Sequence, residues 1–97
     1  MDAILSERRK HSRLPGMGLI AEIRGNQYGI LDISFGGMKV DGRFAAAGTL
    51  IDLAVAREND LVKAHGRVIR AEGELTVVQF TNVTESLTRL IARHSED

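Results

Sequence analysis

Apolar and polar residues alternate with a period of two along residues 17–81, which is the pattern of half-buried β-strands. The alternation predicts six strands, at residues 17–24, 28–34, 38–41, 49–56, 61–71 and 74–81. Turns rich in glycine or polar residues separate them, at residues 25–27, 36–37, 42–48, 57–60 and 73. The predicted core face of the fifth strand comprises Val62, Ala64, Gly66 and Val68. Six short antiparallel strands in succession predict a mainly β fold, a small six-stranded β-barrel.

The C-terminal segment changes to the period of a helix. The positions i, i+3, i+4 and i+7 of one helix face are occupied by Leu87, Leu90, Ile91 and His94. Asn82, three residues before Glu85, resembles the first residue of a capping box. We expect a C-terminal α-helix that covers one end or face of the barrel.

The N-terminal segment is polar and basic, and it ends at Leu14-Pro15-Gly16, where proline and glycine disfavour a continuing helix. We therefore divide the chain into a flexible arm of residues 1–16 and a barrel with its helix in residues 17–97. A chain of 97 residues suffices for a single domain that buries roughly 60–70% of its unfolded surface.

Composition narrows the classes of function. The sequence has no cysteine, which excludes disulfides, thiolate metal sites and cysteine nucleophiles. Its 13 Lys and Arg balance 13 Asp and Glu, so it lacks the net positive charge typical of general nucleic-acid binders. No apolar run approaches the length of a membrane span, and residues 1–8 lack the apolar core of a signal peptide. We expect a cytoplasmic protein that binds no nucleic acid and inserts into no membrane.

The densest positive cluster of the chain is Arg8-Arg9-Lys10-His11-Ser12-Arg13, with four formal charges in six positions. It contains the pattern R-x-x-x-R, formed by Arg9 and Arg13. Guanidinium groups bind phosphate oxygens and the O6/N7 edge of guanine through paired hydrogen bonds. Taken alone, such a pattern is most often a solvent-exposed basic tail.

A second motif, D-x-S-x-x-G, follows in Asp32-Ile33-Ser34-Phe35-Gly36-Gly37. Because alternate residues of a strand share a face, we expect Asp32 and Ser34 to point outward with Ile30. Leu31 and Ile33 should then point into the core.

The outward groups of this motif suit a guanine nucleotide. The carboxylate of Asp32 can accept from guanine N1–H and N2–H, and the hydroxyl of Ser34 can bond phosphate or ribose. Gly36 and Gly37 would let the backbone turn sharply and approach a ligand. Alone, the motif is most often a polar strand face ended by a glycine turn. Together with the arginine cluster, it predicts a site for an anionic, guanine-bearing ligand.

At these residues the chain resembles the PilZ domain family, bacterial receptors for the second messenger cyclic di-GMP. The resemblance also includes the strand Ala64-His65-Gly66-Arg67-Val68-Ile69 and the closing Val77-Val78-Gln79-Phe80. It implies a six-stranded β-barrel whose arm folds over its outer surface onto the ligand, with no further cofactor. It assigns ligand contacts to Arg8, Arg9, Arg13, Asp32, Ser34, Gly36 and Gly37. Arg8 would stack on a second guanine, so that cyclic di-GMP binds singly or as an intercalated pair.

Signalling by such a receptor needs an unidentified downstream protein, and the resemblance implies control of motility, exopolysaccharide synthesis and biofilm formation, adhesion or virulence. We expect no attached output module, because the motifs span nearly the whole chain. A ligand-independent protein-interaction adaptor of the PilZ type is the alternative.

Enzymatic and nucleic-acid functions are weaker alternatives. Ser34 has no evident His–Asp partner set, and His11, His65 and His94 share no metal-ligand spacing. Sites that bind single-stranded nucleic acid usually display several exposed aromatic side chains. This chain has four aromatic residues in all, and we expect at least Phe80 to be buried.

Overall fold

The computed structural model describes residues 14–15 and 18–96. Within them it contains seven strands: β1 (Leu14–Pro15), β2 (Leu19–Ile23), β3 (Asn26–Ile33), β4 (Gly37–Asp41), β5 (Leu50–Arg57), β6 (Asp60–Glu72) and β7 (Leu75–Asn82). A single helix, α1 (Glu85–Glu96), follows β7. Apart from Leu14–Pro15, the predicted arm lies outside the described residues.

The strands form one antiparallel sheet with the order β1-β3-β2-β5-β6-β7-β4. Strand β4 also pairs with β3, which closes strands β2 to β7 into a barrel. The predicted six-stranded barrel is therefore confirmed. The short strand β1 adds beside the second half of β3, beyond the part of β3 that pairs with β2.

The barrel encloses the hydrophobic core of the domain. The alternation predicted for β6 is confirmed, because Ala64, Gly66 and Val68 are buried and Val62 is partly buried. The largest fully buried side chains are Leu19, Ile23, Ile33, Met38, Val40, Val55, Thr76, Val68, Val78, Leu87 and Ile91. Burial on this scale supplies most of the favourable free energy of folding.

Helix α1 packs against β6 with the apolar face that its period predicts. Leu87, Leu90 and Ile91 are buried in the barrel core, and Arg93 lies 3.4 Å from Asp60 at the start of β6. Among the described residues, no helix has both the length and the apolar character needed to cross a membrane.

The predicted capping residue of this helix is wrong. The Leu87 N–H donates to the Thr84 hydroxyl over 3.1 Å, so Thr84 caps the helix. Asn82 still belongs to β7, where it pairs with His65. The strand runs farther than the alternation indicates, and the first residue free to cap is therefore Thr84.

The turn between β2 and β3 is a two-residue hairpin loop with positive φ at both central residues. Ile23 pairs with Asn26, which leaves Arg24 at φ 53° and Gly25 at φ 82°. Asn26 and Gln27, predicted as part of the turn, begin β3 instead. The twist of such a loop matches that of the flanking strands, and asparagine occupies its first position more favourably than arginine.

Replacing Arg24 with Asn should raise the free energy of unfolding by about 0.5–1 kcal/mol, because asparagine tolerates the left-handed conformation better. Urea denaturation monitored by circular dichroism measures the change. Arg43→Asn is the matched control, since Arg43 is exposed in a loop and lacks positive φ. Equal effects of the two substitutions would contradict this account of the turn.

Candidate functional site

The β3–β4 hairpin carries the whole D-x-S-x-x-G motif. Ile33 pairs with Met38, and the Ser34 N–H donates to the Gly37 carbonyl over 2.8 Å. Phe35 and Gly36 therefore form the tip of the hairpin. The motif runs from the outer face of β3, around this tip, into the start of β4.

A β-bulge at Leu31 determines which residues of β3 face outward. Ile30 pairs with Val40 and Asp32 pairs with Lys39, so Leu31 is an extra residue without an opposite. The expected facing of Ile30 and Leu31 is wrong: Ile30 is buried, and Leu31 is 48% exposed. The bulge shifts the alternation by one residue, so that Leu31 and Asp32 both lie outside and Ile33 lies in the core.

Asp32 lies on the outer surface, partly exposed, beside its cross-strand partner. Its Oδ2 atom is 3.7 Å from Nζ of Lys39, and the two side chains are 22% and 34% exposed. A carboxylate in this position is accessible to a ligand on the barrel surface. The outward orientation expected of Asp32 is therefore confirmed.

Ser34 is not the exposed hydroxyl that the strand alternation predicts, because it is only 4% exposed. Its hydroxyl donates to the Gly37 carbonyl over 3.4 Å, and its Oγ atom accepts from the Gly36 N–H over 3.3 Å. The side chain lies where β3 ends and the hairpin turns, so it hydrogen-bonds the backbone of the turn. A contact between Ser34 and a ligand stays a prediction.

Gly37 has a steric role in the barrel. It is buried opposite Gln79 of β7, and a Cβ atom there would collide with the carbonyl oxygen of Val78. Neither Gly36 nor Gly37 adopts a positive φ. The absence of a side chain at Gly37 is thus explained by the close approach of β4 to β7, before any ligand is considered.

A shallow depression adjoins the hairpin on the outer surface. Its walls are formed by Ser34, Gly36, Gly37, Ile69, Val77, Val78 and Gln79. A second bulge, between Val68 and Arg70, leaves Ile69 without an opposite residue and 51% exposed. The motif backbone and an exposed apolar side chain thus border one concave surface.

Three cationic residues outside both motifs flank this depression. Lys39 pairs with Val77, and Val77 pairs with Arg70, so these residues form one row across β4, β7 and β6. Arg67 pairs with Gln79, two residues along β7 from Val77, and is exposed. The turn predicted at residues 36–37 is wrong by one residue: the tip is Phe35–Gly36, and this tip places Lys39 opposite Asp32. No sequence signal marks the bulge that turns Ile69 outward.

Strand β1 connects the arginine arm to this surface. Leu14 pairs with Ile33, and Pro15 pairs with Asp32. Arg13 is bonded directly to Leu14, so the R-x-x-x-R pattern ends one residue before the pairing begins. Arg9 is separated from Leu14 by five peptide steps, which span at most about 18 Å. The predicted contacts of Arg8, Arg9 and Arg13 lie outside the described residues.

The contacts of His65, Tyr28 and Phe44 lie outside the motif, whose own aromatic residue is Phe35 at the hairpin tip. His65 Nδ1 is 2.7 Å from Asp52 Oδ1 on the exposed face of β5 and β6. Tyr28 packs on Phe44 with ring centroids 5.0 Å apart, and Phe80 is buried as predicted. The part of the chain that the structure describes holds no cluster of three or more metal-ligating residues.

The sequence matches the family model of the PilZ domain over residues 7–97, which includes both motifs. The chain belongs to the PilZ domain family. PilZ domains are receptor and adaptor domains associated with cyclic di-GMP rather than enzymes. A search of the curated proteins found no significant match.

Two solved structures share this PilZ fold. The crystal structure of the Legionella uncharacterized protein Lpg0364 matches with a TM-score of 0.69 and 24% identity, covering 87% of this chain and 90% of that one. The Bacillus subtilis inhibitor of motility, MotI/DgrA, matches with a TM-score of 0.65 and 19% identity, covering 93% of this chain. This chain spans 52% of MotI/DgrA, about half its length.

Gly37→Ala should lower the free energy of unfolding by about 2–4 kcal/mol, because the new Cβ forces β4 away from β7. Gly29→Ala is the matched control: Gly29 also lies in the hairpin strands, and a Cβ there meets nothing within 4 Å. Chemical denaturation of both variants tests the difference. A Gly37→Ala protein as stable as the wild type would contradict the close-approach explanation.

Proposed function

We propose that this PilZ domain binds cyclic di-GMP on the outer surface of the β3–β4 hairpin and acts as a ligand-switched adaptor for a protein partner. The observation that carries the proposal is the pairing of β1 with β3. It holds Pro15 beside Asp32, and thereby attaches the arginine pattern to the edge of the D-x-S-x-x-G surface. The arginine pattern ends at Arg13, which is bonded to Leu14, the first residue paired with the strand of the second motif.

The polar groups available here complement the ligand. Cyclic di-GMP carries two phosphodiester charges and two guanine bases. Asp32 supplies an acceptor for the N1–H and N2–H edge of guanine. Arg9 and Arg13 supply paired donors for phosphate and for the O6/N7 edge. A set of four or five such contacts, less the cost of ordering the arm, supports micromolar affinity or better.

An adaptor also needs a surface that a partner can contact when ligand is bound. Leu31 and Phe35 are exposed on the same hairpin as Asp32, on either side of it in sequence. An arm folded over bound ligand would lie next to these apolar side chains and form a composite surface with them. The partner, and a role in motility or biofilm formation, belong to this proposal.

Isothermal titration calorimetry with cyclic di-GMP tests the receptor function directly. We expect saturable binding at micromolar affinity or better, and much weaker binding of GTP. The stoichiometry distinguishes a single ligand from an intercalated pair stacked on Arg8. No heat at ligand concentrations well above micromolar would contradict the proposal and favour the ligand-independent adaptor.

Arg13→Ala should weaken cyclic di-GMP binding by about thirtyfold, on the order of 2 kcal/mol, because it removes charge-assisted hydrogen bonds. Arg43→Ala is the matched control, since Arg43 is an exposed arginine of the β4–β5 loop. The dissociation constants come from the same titration. Wild-type affinity in Arg13→Ala would remove that residue from the site.

Asp32→Asn should lower the ratio of the affinity for cyclic di-GMP to that for cyclic di-AMP by about tenfold or more. The reason is that the asparagine side chain has one acceptor oxygen where the carboxylate has two. Adenine lacks the N1–H and N2–H donors, so cyclic di-AMP serves as the matched ligand. Competition titrations give the ratio of the two affinities. An unchanged ratio would show that Asp32 does not bind the guanine edge.

A further inference from the structure

Lys39 is the cation in direct register with the proposed guanine acceptor. The backbone row through Asp32 runs Pro15, Asp32, Lys39, Val77 across β1, β3, β4 and β7. On either side of the Asp32–Lys39 pair, the row continues with uncharged residues. The next cation, Arg70, is two strands from Lys39 and lies 3.4 Å from Glu72. Lys39 is the cation of this row that contacts Asp32, at 3.7 Å.

A carboxylate at this place presents an electrostatic difficulty for the proposed ligand. Guanine needs an acceptor for N1–H and N2–H, but its nucleotide also brings two negative phosphodiesters towards the same surface. An uncompensated Asp32 would attract the base and repel the phosphates. The repulsion is stronger on a partly covered protein surface than in bulk water, because the effective dielectric constant is lower there.

We infer that Lys39 is a positioning residue of the ligand site, whose ammonium group compensates the Asp32 carboxylate and holds it ready to accept from guanine. This inference rests on the proposed cyclic di-GMP function and identifies a residue outside both motifs. Lys39 acts through Asp32. The Nζ–Oδ2 separation of 3.7 Å keeps the two charges in contact, and the partial exposure of Asp32 leaves the carboxylate accessible to a base.

A purely structural role does not explain the pair as well. Ion pairs with both partners partly exposed contribute little to folding stability, because water screens the attraction and two long side chains lose freedom. The barrel core is already closed beneath the pair by Ile33, Met38 and Val40, all fully buried. Replacing Lys39 should therefore leave thermal unfolding nearly unchanged, while the ligand affinity falls.

The test is calorimetric titration of the full chain with cyclic di-GMP for Lys39→Met, Lys39→Arg and a matched control, Lys63→Met. Lys63 is an exposed strand lysine of β6, opposite Ala54 of β5. We expect Lys39→Met to weaken binding by about tenfold, Lys39→Arg to retain affinity within about threefold, and Lys63→Met to match the wild type. Repeating Lys39→Met in an Asp32→Asn background should reduce its effect to under about twofold, because the charge to be compensated is gone.

Three outcomes would overturn the role of Lys39 while leaving the proposed function intact. They are wild-type affinity in Lys39→Met, equal losses in Lys39→Met and Lys39→Arg, and a loss in Lys39→Met that persists in the Asp32→Asn background. The last outcome would mean that Lys39 contacts the phosphates directly. Failure of the wild-type protein itself to bind would overturn the proposed function, and this inference with it.

Discussion

The contact of β4 with β7 at Gly37 is the constraint on which the rest of the structure depends. It pairs β7, the last strand in sequence, with β4 of the β3–β4 hairpin, and so closes the barrel around its core. The Phe80 N–H donates to the Gly36 carbonyl over 2.9 Å at the same point. A side chain at Gly37 would separate the strands, so the last glycine of the D-x-S-x-x-G motif is first a requirement of closure.

The same closure fixes the rigid half of the candidate site. Strand β3 pairs with β4 along one edge and with β2 and then β1 along the other, so its second half is held from both sides. The bulge at Leu31 then sets the direction in which the Asp32 side chain projects from the barrel surface. A preorganised acceptor of this kind would lower the ordering cost of the proposed binding. The arm is attached to the rigid half through the two residue pairs of β1.

Periodicity predicts most of the fold, because burial of alternate residues is what a barrel strand requires. The six strands, the core face of β6 and the apolar face of α1 follow from it. Two of the failures lie at single-residue irregularities: one bulge reversed Ile30 and Leu31, and the extended end of β7 moved the cap from Asn82 to Thr84. Neither changes composition or period enough to be read in the sequence. The place of Lys39 was missed, because a turn at residues 36–37 would set Ser34 rather than Asp32 opposite it.

The structure divides the D-x-S-x-x-G motif according to what each residue explains. Ser34 hydrogen-bonds the backbone of the turn, and Gly37 lets β7 approach β4 closely. Both residues would therefore be required in a barrel that bound no ligand. Asp32 is different, because its carboxylate lies on the outer surface, 3.7 Å from Nζ of Lys39. In the proposed function, its place opposite Lys39 and beside Pro15 suits a ligand that is both a hydrogen-bond donor and an anion. The case for cyclic di-GMP therefore rests on Asp32 and the arm, and the serine and glycines support the surface on which they meet.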